Sequence, residues 1–107
     1  MTTTRNPRTV IVTGAGGGLG RAFAEAFAAL GDRVVVADID EPAATRVAAG
    51  LAGAIAVGVD VTRADSTDAL AAAAAELGGG RIDVVINNAA IYATLTRSPL
   101  EQIAEGE

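Results

Sequence analysis

A run of mostly β-branched residues, Thr9 to Thr13, passes without a break into Gly14-Ala15-Gly16-Gly17-Gly18-Leu19-Gly20, and a helix-forming stretch follows at once. A turn this tight needs backbone without Cβ atoms, so that a diphosphate can approach the chain and the free N–H groups of the helix start can point at it. Each charge-assisted hydrogen bond there is worth roughly 1.5 to 3 kcal/mol and the helix dipole adds about 0.3 to 1, so several together hold a pyrophosphate without a lysine. The competing phosphate loop of nucleoside triphosphatases requires Gly-Lys-Ser or Gly-Lys-Thr, whereas this chain has Gly20-Arg21-Ala22. Eighteen residues beyond Gly20 stands Asp38, at the end of a second apolar run and near the distance at which an acid meets the adenosine ribose of NAD. A carboxylate there accepts from two ribose hydroxyls and repels a 2′-phosphate, and no Arg stands beside it or in the glycine turn. NAD is therefore expected over NADP. Two plainer readings stay open: a flexible glycine loop, and Asp38 as a turn residue. With Leu19 and Ile39, the candidate cofactor-binding set at this end of the chain is Gly14, Gly17, Gly18, Leu19, Gly20, Asp38 and Ile39.

Composition removes much other chemistry. The chain has no Cys and no His, which excludes disulfides, thiolate or imidazole metal sites, a cysteine nucleophile and a histidine base; no metal site is expected. Its net charge of −5, from thirteen acids against eight arginines, has the wrong sign for gripping a nucleic-acid backbone. The longest apolar run, Ala69 to Ala75, is far short of the roughly 20 residues of a membrane span, and Met1 to Thr9 has no apolar signal core. The expectation is a soluble, cytoplasmic protein with no nucleic-acid or membrane partner.

The elements that must position the glycine turn are legible from periodicity. Thr9 to Thr13, Arg33 to Ala37 and Ile82 to Ile86 lack polar alternation and read as strands buried on both faces; Ala54 to Val59 is a weaker fourth. Between them Leu19 to Leu30, Glu41 to Leu51 and Ser66 to Leu77 are rich in helix formers. Leu19, Phe23, Phe27 and Leu30 form one stripe expected to face the sheet, with Gly31 ending the helix. Asp40 caps the second helix ahead of Pro42, and Asp65 or Ser66 is expected to cap the third, which closes at Gly78-Gly79-Gly80. A last short helix is expected from Ser98-Pro99-Leu100-Glu101. Strict alternation of strand and helix makes right-handed crossovers and a parallel sheet of order 3-2-1-4, a partial Rossmann-like, doubly wound α/β fold.

Thr13, Gly14, Gly18 and Gly20 fill the spacing Thr-Gly-x-x-x-Gly-x-Gly, which resembles the turn of the short-chain dehydrogenase/reductase family. Asn87-Asn88-Ala89-Ala90 resembles the family's Asn-Asn-Ala-Gly motif, and Asp60-Val61 its adenine-contacting pair. The resemblance implies that Asp60 accepts from the adenine amino group, that the Val61 amide meets a ring nitrogen, and that Asn88 braces the sheet behind the nicotinamide ribose, with the backbone of Ala89 and Ala90 lining the cleft. Ala90 stands where the family has Gly, and Gly17 where NADP-preferring relatives often carry a basic residue. The family's catalytic Tyr-x-x-x-Lys pair has no match: the only tyrosine, Tyr92, is followed four positions on by Thr96, and Ser66 and Ser98 read as helix-cap residues. No catalytic residue is assigned.

Residues 1–107 are thus expected to be a partial NAD(P)-binding Rossmann domain ending before the family's catalytic segment, less than half of a usual member. The implied activity of the intact protein is hydride transfer between nicotinamide and a carbonyl or secondary alcohol, with this chain an inactive fragment and any homo-oligomer confined to a full-length form. The alternative is a stand-alone dinucleotide-binding module without catalysis. A methyltransferase using S-adenosylmethionine shares the glycine turn and the acid, but Asn87-Asn88-Ala89-Ala90 argues against it.

Overall fold

A computed structural model describes residues 6–88. Seven elements alternate: β1 (Thr9–Thr13), α1 (Gly18–Ala29), β2 (Arg33–Asp38), α2 (Glu41–Ala49), β3 (Ile55–Gly58), α3 (Ala64–Leu77) and β4 (Val84–Ile86). The sheet has the order β3-β2-β1-β4 with every pair parallel, as the crossover pattern requires. The helix expected from Ser98, together with Ala89, Ala90 and Tyr92, lies outside the described residues.

Period-two alternation divides the apolar residues of β1 and β2 between two layers. Val10, Val12, Val34 and Val36 pack with Ala24, Ala44 and Val47 on the face covered by α1 and α2. Ile11, Val35 and Ala37 pack with Val59, Leu70 and Ala74 on the face covered by α3. Both central strands are therefore buried on both faces, and each fully buried Val contributes about 1.5–3 kcal/mol of transfer free energy. The outer strands are not so enclosed. In β4, Val85 remains 60% exposed, which corrects the expectation of a strand buried on both sides. Its start also shifts from Ile82 to Val84, because the Asp83 carboxylate takes the Thr9 N–H (2.8 Å) that a ladder carbonyl would otherwise accept.

α1 packs differently from the expected Leu19-Phe23-Phe27-Leu30 stripe. Its buried positions are Gly20 and Ala24, with Phe23 and Phe27 partly buried against the core. At 100° per residue this stripe is rotated so that Leu19 and Leu30 fall on its flank, where both are more than half exposed. Small residues at the contact let helix and sheet approach closely. Gly31, with φ of +90°, follows the helix end as anticipated.

α2 begins at its expected cap: the Asp40 side chain accepts from Ala43 N at 3.1 Å, with Pro42 in the first turn. It ends at Ala49, two residues early, because Gly50 and Leu51 donate to Val47 and Ala48 in tighter turns. α3 begins two residues earlier than Ser66, with Arg63 as N-cap and no side-chain cap. Neither Asp65 nor Ser66 caps it: Asp65 pairs with Arg63, and Ser66 Oγ accepts the Asp60 N–H at 2.8 Å.

The amino-terminal end of the sheet is closed by ion pairs. Asp32, buried, accepts from the Arg8 backbone N–H (3.0 Å) and guanidinium (2.9 Å), and that guanidinium lies over the Phe27 ring. Asp83 receives the Thr9 N–H and pairs with Arg81, which holds its carboxyl below the usual range. Gly78 sits beneath this edge, where a Cβ would overlap the Arg81 carbonyl and the Thr9 hydroxyl. At Gly50 a Cβ would meet only the Val47 carbonyl at an ordinary 3.7 Å. Gly78→Ala is expected to destabilise by about 1–3 kcal/mol, a lower urea midpoint at unchanged slope. Gly50→Ala, in contrast, is expected to be neutral or stabilising by about 0.4–1 kcal/mol. Equal midpoints for the two variants would show that the Gly78 contact is not as tight as described.

Candidate functional site

The carboxyl ends of β1, β2 and β3 open into a cavity of about 490 Å³, the place where ligands bind in open parallel sheets. The glycine turn forms its floor, with Gly14, Gly17, Gly18 and Leu19 among the lining residues. Gly14 and Gly18 have φ of +64° and +57°, the left-handed region that favours glycine. Gly17 is the extended N-cap of α1, and neither a capping side chain nor an acid in the first turn competes for the helix's leading amides. Those N–H groups have no intrahelical acceptor and lie at the positive end of the dipole.

The glycines divide into two kinds. At Gly17 and Gly18 an added Cβ would meet nothing within 4 Å, so these positions are open toward the cleft. At Gly20 it would overlap the Gly14 carbonyl and stand 2.8 Å from Asn88 Nδ2, so this position permits the close crossing of turn and helix. Asn88, only 4% exposed, donates from that Nδ2 to the Gly14 carbonyl at 3.2 Å. What it braces in the described structure is the glycine turn. Thr13 Oγ1 lies 3.2 Å from Asn87 Oδ1 and 3.4 Å from the Ile86 carbonyl, so the last residue of β1 is tied to the last residue of β4 and to the residue that follows it.

Two carboxylates stand on the rim, Asp38 held by two backbone amides and Asp60 by the hydroxyl and amide of one residue. Asp38 Oδ2 accepts from Gly16 N and Oδ1 from Asp40 N, both at 2.9 Å. Asp60 Oδ1 accepts from the Thr62 hydroxyl (2.6 Å) and amide (3.0 Å), which hold its carboxyl below the ordinary range, with a smaller contribution from Arg63. Ile39, Val61 and Leu19, exposed by 75%, 40% and 59%, supply apolar surface around the same opening. No basic residue lines the cavity among the described residues.

The structure brings the residues singled out in the sequence into one place: Gly14, Gly17, Gly18, Leu19, Asp38, Ile39, Asp60, Val61 and Asn88 all line the cavity, while Gly20 lies directly under it. Ala89 and Ala90 fall outside the described residues. Sequence reading missed Val59 and Thr62, which also line it, and Ser66, which holds the Asp60 backbone. Thr62 had a signal: an Asp followed two residues later by a hydroxyl residue is a common side-chain-to-backbone turn. Among the described residues no cluster of acids, Cys or His could hold a metal ion, and no helix is long and apolar enough to cross a membrane.

Comparison with known proteins points the same way. A family model described as short chain dehydrogenase matches residues 8–106. The chain is 44% identical over 101 residues to galactitol 2-dehydrogenase of Agrobacterium fabrum, covering 94% of this chain and 38% of that enzyme. It is 42% identical over 86 residues to sorbitol dehydrogenase of Cereibacter sphaeroides, covering 79% and 33%. Among solved structures, a short chain dehydrogenase/reductase from Burkholderia phymatum in complex with NAD superposes with a TM-score of 0.70 at 40% identity, over 75% of this chain and 30% of that one. A 3-ketoacyl-(acyl-carrier-protein) reductase from Brucella melitensis complexed with NADH gives 0.70 at 35% identity, over 73% and 32%. The chain thus spans well under half the length of these relatives.

The lowered pKa of Asp60 has a stability consequence with a definite sign. Its carboxylate stabilises the fold at pH above the ordinary Asp value, and this contribution is lost as pH falls through the lower folded value. Thr62→Val removes the shortest of its bonds and is expected to raise the Asp60 midpoint in an NMR titration. A midpoint that stays where it was would show that the Thr62 hydroxyl does not hold this carboxylate.

Proposed function

The chain belongs to the short-chain dehydrogenase family, and on that premise we propose that residues 1–107 are the cofactor-binding portion of a Rossmann domain whose cleft takes NAD. The single observation that carries this reading is the meeting, in one cleft, of an uncapped glycine turn and a rim carboxylate bonded to that turn. The residues present fit the dinucleotide. Gly17 and Gly18 leave open space beside the leading amides of α1, where a diphosphate is accepted by N–H donors and the helix dipole. A lysine is not needed for this.

In this reading Gly14, Gly17, Gly18, Leu19 and Gly20 form the diphosphate cradle, and Asp38 with Ile39 receives the adenosine ribose. Asp60, with one oxygen occupied by Thr62, keeps Oδ2 for the adenine amino group, and Val61 borders the ring. Asn88 acts by fixing the Gly14 carbonyl, and Ala89 and Ala90, next in the sequence, complete the proposed cofactor-binding set. Asp38 disfavours a 2′-phosphate by charge, in a cleft that no lining arginine neutralises, which supports NAD over NADP. When bound, the nicotinamide supplies hydride acceptance or donation for a carbonyl or secondary alcohol substrate; these residues bind and orient it.

Titration of the protein with NAD and NADP, by calorimetry or by fluorescence of the reduced forms, tests this. Asp38→Ala is expected to weaken NAD about tenfold or more, the loss of a charge-assisted contact, and to narrow the gap to NADP. Gly18→Val is expected to abolish binding, because a branched side chain enters the open space at a backbone angle it rarely adopts. Wild-type affinity in Gly18→Val would show that no ligand lies against this turn.

A further inference from the structure

Gly16, like Gly20, does not line the cavity and has no positive φ to explain it, and it takes no part in the crossing of Gly20 over the Gly14 carbonyl. Its surroundings do. A Cβ at this position would stand 2.9 Å from Asp38 Oδ2, 3.2 Å from Asp38 Cγ and 2.9 Å from Ala43 Cβ. The two neighbours differ in what they can do. Ala43 belongs to the first turn of α2, its N–H bonded to Asp40 Oδ1, and its Cβ has no rotamer to escape into. The Asp38 carboxylate is the mobile partner.

The bonds around Gly16 form a closed circuit. Gly16 N donates to Asp38 Oδ2, Asp40 N donates to Asp38 Oδ1, Ala43 N donates to Asp40 Oδ1, and Ala43 returns to pack against Gly16. The carboxylate that the proposed function assigns to the ribose is therefore oriented from two sides before any ligand arrives, and room for that orientation exists only because residue 16 has no side chain. We propose that Gly16 is a positioning residue that sets the preference of this cleft for a dinucleotide without a 2′-phosphate, acting through the Asp38 carboxylate that its backbone holds and its missing side chain makes room for. A methyl group at 16, blocked by Ala43, displaces the carboxylate and so weakens both its acceptance of ribose hydroxyls and its repulsion of a 2′-phosphate.

This inference rests on the NAD reading, and the experiment separates the two. The affinities of NAD and NADP are measured for the wild type, Gly16→Ala, Asp38→Ala and the double variant. Gly16→Ala is expected to lower NAD affinity about tenfold while NADP changes less, so that the ratio moves toward that of Asp38→Ala. The double variant is expected to match Asp38→Ala alone, because both changes remove the same contact. Adding Ala43→Gly to Gly16→Ala is expected to recover part of the ratio by giving the new methyl room on the helix side. In the ligand-free protein, amide hydrogen exchange at Asp40 is expected to speed up in Gly16→Ala, since its acceptor has moved. Selectivity and Asp40 exchange unchanged in Gly16→Ala, or equal loss of NAD and NADP affinity that adds fully to the loss from Asp38→Ala, overturns the inference while leaving the NAD reading intact. A wild type that binds neither nucleotide overturns the NAD reading and the selectivity role with it.

Discussion

The structure turns on how closely α1 crosses the end of β1. The chain must pass from the last strand residue, Thr13, to a helix start at Gly18 while leaving the leading amides of that helix without internal partners. Two contacts make this possible. Gly20 lies so near the Gly14 carbonyl that no side chain fits between them, and the Asn88 amide donates to that carbonyl from the end of β4. A carbonyl satisfied from below and amides free above give the turn a consistent polarity, acceptor inward and donors outward. The neighbouring open glycines, Gly17 and Gly18, leave those donors accessible.

The two ends of the sheet treat their charges in opposite ways. At the amino-terminal end Asp32 pairs with Arg8 and Asp83 with Arg81, so each carboxylate is matched by a guanidinium and the strand starts are fastened together. At the carboxyl end Asp38 and Asp60 are held by backbone amides and a hydroxyl instead. Such partners orient a carboxylate without neutralising its charge. The first arrangement serves stability; the second leaves negative charge directed at a cleft, which is what selection among ligands by charge requires.

Several features were legible in the residues alone because they depend on short-range chemistry. The β-branched runs marked β1 and β2, Asp40-Glu41-Pro42 marked the start of α2, and Gly14 to Gly20 marked the turn, since each rests on φ/ψ preference or a cap within a few residues. Misreadings arose where the deciding partner is distant in sequence. Ser66 has the composition of a cap but accepts from Asp60, and the hydrophobic stripe of α1 was centred on its large residues although the sheet accepts Gly20 and Ala24 there. Asp83 shortened β4 by bonding to Thr9, seventy-four residues away.

By itself the sequence determined the alternation of strand and helix, the parallel order of the sheet and the position of the glycine turn, because hydrophobic period, capping and glycine's backbone freedom are local properties. Its motifs also pointed to the family and to Asp38, Asp60 and Asn88. Only the tertiary structure decided which glycine is a clearance and which is an opening, that Asn88 holds Gly14, and that Asp38 is gripped from Gly16 and Asp40 together. Those are matters of tenths of an ångström between segments that meet only after the sheet has closed, and no spacing along the chain encodes them.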